Sequence, residues 1–110
     1  MSFFDSEVVR AEMTEIQELQ EEVYDNVFKF PTMSLEDKRY HIEILERLVD
    51  KQQVLYTRLS LSDDPEAKRM KDTILKGASQ MGLPTNVDMN LVFNDMYKMV
   101  EMMKSQLDRK

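Results

Sequence analysis

The chain contains no cysteine. Disulfide bonds, thiolate catalysis and cysteine-ligated zinc are therefore outside its chemistry. It has a single histidine, His41. Carboxylate-bridged di-iron bundles use two Glu-x-x-His motifs, and here Lys38 stands three residues before His41, where the motif has glutamate. Zinc would need further His or Cys ligands. The sequence carries no phosphate-binding Gly-rich loop, no dinucleotide fingerprint and no nucleophile elbow. A Ser–His–Asp triad is not excluded by residue count alone, but no oxyanion turn accompanies it. Two glycines and three prolines leave little punctuation for a many-stranded fold. No apolar run approaches the ~18 residues that a membrane-spanning helix needs. The opening MSFFDSEVVR has acids where a signal peptide has a basic end and an apolar core. The resulting expectations are no cofactor, no metal, no catalytic residues, no membrane partner and a cytoplasmic setting.

Basic charge is also scarce at one end. Residues 1–27 hold eight acids against one base, whereas the rest of the chain is nearly neutral, so the net charge of −6 belongs to the first segment. Nucleic-acid binding through a broad basic face is not expected, because phosphate attraction needs clustered Lys and Arg.

At 110 residues with 42% hydrophobic content, one globular domain is expected. The longest periodic stretch runs from Ser34 to Ser60. Leu45, Leu48, Gln52, Leu55 and Leu59 form a 3-4-3-4 ladder, with Ile42, Val49 and Tyr56 repeating every seven residues beside it. Twenty-seven residues make a rod of about 40 Å, and its wide apolar face predicts more than one helical neighbour. Ser34 is placed to cap it, with Asp37 where a capping box has an acid.

The other helices are read against this one. Residues from about 5 to 28 place Val9, Met13, Ile16, Val23 and Val27 on a seam, with Gln20 filling a gap. The connector Phe28–Met33 contains Pro31 and predicts an antiparallel hairpin. Mirroring the chain about residue 31 sets Gln20 near His41 and Gln52 near Arg10, so a Gln20–His41 hydrogen bond is expected. A third helix, about 64–80, starts at Asp64-Pro65 and carries Ala67, Met70, Ile74, Ala78 and Met81. Its bases, Lys68, Arg69, Lys71 and Lys76, could face the acidic first helix within one chain or across an interface. Gly82 and Pro84 mark its end. A fourth helix, about 87–108, is capped by Thr85, Asn86 or Asp88, and aligns Met89, Val92, Met96, Met99 and Met103.

The fold expected is all-α: a long antiparallel hairpin (about 5–28 and 34–60) with two further helices. It is bundle-like, with coiled-coil spacing, and is completed by self-association, with a homodimer favoured. The candidate interface is Phe28, Phe30, Met33, Phe93, Met96, Met99 and Met103. For the methionine stripe, core and binding face both stand open, since methionine serves both. Gln20 and Gln52 are candidates for setting bundle register, because a buried amide without a partner costs about 1–3 kcal/mol. The alternative is that both sit at a wet edge. Glu12, Glu15, Glu18, Glu22 and Asp25 form a candidate acidic surface, or else a solvated helix face.

The strings MSFFDSEVVRAEMTEIQELQEEVY, NVFKFPTMS, KQQVLYTRLSLSDDPEAK and MGLPTNVDMN closely resemble a small all-helical family shared by marine cyanobacteria and their phages. That family is a domain of unknown function. The resemblance implies a cyanobacterial or cyanophage cytoplasm and carries over no activity or site. The function expected from the residues is a non-enzymatic, self-associating protein-interaction module. One alternative is an acidic decoy or adaptor for a basic protein surface. Another is a small-ligand carrier or enzyme built around His41 with Tyr40 or Tyr56.

Overall fold

Local capping chemistry sets where each helix begins. In the computed structural model, which describes residues 3–80, 82 and 88–108, a short 3-10 turn, Phe3–Asp5, leads into α1, Glu7–Asn26. The Ser6 hydroxyl caps α1 by accepting from the Val9 amide at 3.4 Å. A 3-10 helix, Val27–Thr32, then leads to α2, Leu35–Leu61. Pro31 lies inside that turn, where its fixed φ is tolerated although it would break an α-helix. Ser34 caps α2 as expected, its hydroxyl accepting from the Asp37 amide at 3.2 Å. Helix α3, Pro65–Gln80, begins under Asp64, whose carboxylate accepts from the Glu66 amide at 2.9 Å and also from the Phe3 amide. Helix α4, Met89–Asp108, begins under Asp88, which accepts from the Asn90 amide at 2.9 Å. Thr85, Asn86, Pro84 and Met81 lie outside the described residues. Gly82 takes φ +98° and donates its amide to the Ser79 carbonyl at 3.0 Å, the left-handed stop expected after α3.

The architecture is all-α and bundle-like, and among the described residues there is no strand. Helix α2 is the spine. Helices α1 and α4 both run antiparallel to it and pack along α2 rather than along each other, while α3 packs on α2 and on the Phe3–Asp5 turn. Ile16 and Leu19 of α1 close over Ile44 and Leu48 of α2, with Val23 and Leu55 beside them. A second cluster joins Val49 to Met89 and Phe93, and Ile74 and Leu75 of α3 reach it. Leu19 and Ile44 are core residues that seam spacing alone leaves out. Leu45 is only partly buried.

The hairpin register differs from the mirror about residue 31. Glu15 meets Lys51 at 2.9 Å and Glu12 meets Arg58 at 2.7 Å, which moves the pivot a few residues later. The reason is the 3-10 helix, which uses up Val27–Thr32 before α2 can start. Gln20 and His41 consequently share no hydrogen bond among the described residues. Arg10 pairs with Asp5 at 3.7 Å and donates to the Phe4 carbonyl at 3.1 Å, and it shares no hydrogen bond with Gln52 among the described residues. The bases of α3 form no ion pair with α1 among the described residues, because α3 packs on α2 instead.

The molecule measures 51 × 32 × 19 Å, with a radius of gyration of 15.8 Å. A compact chain of this length would have about 13 Å.

Candidate functional site

Ion pairs and hydrogen bonds fix α2 to its two flanking helices. Besides the two α1 pairs, Arg39 meets Asp108 at 3.0 Å and Lys104 pairs with Glu46. The Tyr97 hydroxyl donates to Asp50, and the Gln53 side-chain amide lies 2.9 Å away. Burial, followed by the Asp50 bond, pushes the Tyr97 phenol up to about 12, so it remains a donor at any physiological pH. The bond to Lys51 holds the Glu15 carboxyl below its ordinary range, and the bond to Glu46 holds the Lys104 ammonium above its own. These groups position helices.

The candidate acidic surface is smaller than the sequence suggests. Glu12 faces Arg58 with its side chain only 15% exposed, so it belongs to the α1–α2 seam rather than the surface. Glu15 is paired with Lys51. Glu18 and Asp25 stay exposed and Glu22 is half-buried. Glu18 and Glu22 line a shallow notch with Arg47.

His41 is 5% exposed and its ring lies 5.3 Å from the Phe30 ring. Lys38 sits 5.6 Å over that same Phe30 ring. Burial holds the imidazole below its ordinary value of 6.5, against the opposing pull of Glu22. Beside it opens a notch of about 400 Å³ lined by Glu22, Asn26, Lys29, Asp37 and Tyr40. Glu22 also raises the Tyr40 phenol through a hydrogen bond. No serine or threonine hydroxyl bonds to His41 among the described residues, and no three of His, Asp and Glu there gather as a metal-binding group.

The candidate interface divides. Phe93 is core, not contact surface. It is 4% exposed and lies 5.9 Å from Tyr56 across the α2–α4 seam, because it sits on the side of α4 that faces α2. Met96 packs against the same cluster and Met103 is half-buried. Met99 is 63% exposed. Among the connector residues, Phe28 is 93% exposed, Phe30 packs against His41 with the rings tilted by 44°, and Met33 lines the notch. Leu91, Met102 and Tyr24 are also strongly exposed, and the sequence reading passed over all three. Leu91 and Met102 lie eleven residues apart, about three helical turns, so their shared outer face was visible in the spacing. Gln20 and Gln52 are both half-buried, with no hydrogen-bond partner among the described residues.

No helix among the described residues is long and apolar enough to cross a membrane. Residues 1–107 match the family model described as a domain of unknown function, DUF1825. No curated protein and no solved structure matches the chain.

Proposed function

We propose that this chain, which belongs to the DUF1825 family, is a non-enzymatic helical interaction module that self-associates and presents the assembled surface to another protein. One observation carries the reading. The chain exposes 8056 Å², whereas a compact monomer of its mass would expose about 6,400 Å². Large apolar side chains account for part of that surplus, Phe28, Leu91, Met99 and Met102 among them. A stable dimer buries about 600–1,000 Å² per partner, which the surplus covers. His41 supports the non-enzymatic part, since its ring packs under Phe30. The family resemblance supports a cyanobacterial or cyanophage cytoplasm as the setting. Sedimentation at micromolar concentration tests the reading. A species of twice the 13.1 kDa chain mass is expected, and a monomer at every concentration would overturn it.

A second reading, an acidic adaptor, draws on Glu18, Glu21 and Asp25, which stay exposed along α1. Such an association weakens steeply with salt. A capture from lysate that is indifferent to ionic strength would reject it.

A further inference from the structure

The three-helix layer α1–α2–α4 has two unlike sides. The polar bonds that hold it together lie towards one of them. On α2 they engage Arg39, Glu46, Asp50, Lys51, Gln53 and Arg58. At about 100° per residue, Leu45 and Gln52 fall about 80° or more around α2 from all six. On α4 the bonded residues are Tyr97, Lys104 and Asp108. Met99 and Met103 likewise fall about 100° or more from these three. On α1, Gln20 lies about 80° and 140° around from the paired Glu12 and Glu15. Gln20, Leu45, Gln52, Met99 and Met103 therefore share the side away from the ion pairs, and all five are uncharged.

That side is covered only in part. Near the C-terminal end of α2, α3 shelters it: Leu59 is fully buried and Lys71 lies 6.0 Å over the Tyr56 ring. Near the connector, Phe30 covers His41. Between these two covers Leu45, Gln52 and Met103 stay half-exposed and Met99 stands open.

We propose that a second copy of this chain docks on this strip, around a two-fold axis that brings the strip onto itself. The proposal rests on the self-association reading and adds the face. Two features of the molecule select this occupant. The surplus, about 1,650 Å² on each copy, is enough for the 600–1,000 Å² that each partner of a standard dimer buries. Each copy also carries a net charge of −6 concentrated on α1, so two copies approach best where the surface is uncharged. The two half-buried amides, Gln20 and Gln52, without hydrogen-bond partners among the described residues of one chain, then gain partners in the other.

The test is sedimentation equilibrium of the full chain as wild type, Met99→Glu, Gln20→Glu and Val54→Glu, with circular dichroism to confirm folding. Val54 is exposed on the ion-paired side of α2. Met99→Glu and Gln20→Glu should each weaken dimerisation at least tenfold, while Val54→Glu leaves it within twofold. Because Met99 is exposed and Gln20→Glu is nearly isosteric, at least one of the two retains the fold. A dimer unchanged by both strip variants, or broken only by Val54→Glu, overturns the docking face and leaves self-association standing. A monomeric wild type removes the self-association reading itself, and the docking face with it.

Discussion

His41 shows how one residue couples packing to pH. Burial lowers its pKa in the folded chain, so the unfolded chain binds a proton that the folded chain resists. Stability is therefore present above pH 6.5 and is lost as pH falls through 6.5 towards the folded value. Between pH 7.5 and 5.8 the wild-type melting temperature should fall, and His41→Leu should flatten that slope. Parallel slopes in the two proteins would contradict the assignment. The sequence showed that His41 was the only histidine and pointed to a hydrogen bond with Gln20, which does not form among the described residues because the hairpin register is shifted. It could not show the partner, because Phe30 reaches His41 through a 3-10 turn that helical spacing does not describe. Phe93 gives the reverse lesson. It was visible as apolar on α4, but its inward direction depends on where α2 lies.

At the scale of elements, helix starts were the most legible feature. Ser34 and Asp64 cap the helices they were expected to cap, because a side-chain oxygen next to free amides is a local signal. Hairpin register was not local, and the 3-10 connector shifted it. The two glycines permit a direct test of local backbone effects. Gly77 lies within α3 and nothing lies within 4 Å of a Cβ built there, so Gly77→Ala should stabilise the protein by about 0.5–1 kcal/mol. Gly82 is equally open but sits at φ +98°, so Gly82→Ala should destabilise it by about 1–2 kcal/mol. Thermal melts of the pair check both signs, and a stabilising Gly82→Ala would mean that α3 does not end in a left-handed turn. Gln52 belongs to this scale as well. If its amide fixes helix alignment across an assembly, Gln52→Leu should raise the melting temperature and broaden the oligomer distribution. A lower melting temperature with an unchanged oligomer would place Gln52 at a wet edge.

At the scale of the whole molecule, the governing fact is shape. A long α2 with neighbours on separate faces makes a flat, extended body, 19 Å thick and 51 Å long. Such a body cannot turn all of its apolar side chains inwards. The four-helix content and the hairpin were legible from periodicity, since each helix carries its own stripe. The division of α4 into a buried side with Phe93 and an open side with Met99 was not, because methionine suits both. Small-angle X-ray scattering from micromolar solutions tests the central claim most directly, since it reports mass and dimensions together. The forward scattering should give twice the chain mass, with a radius of gyration above the 15.8 Å of one copy. A single-chain mass with a radius of gyration near 15.8 Å at every concentration would contradict it.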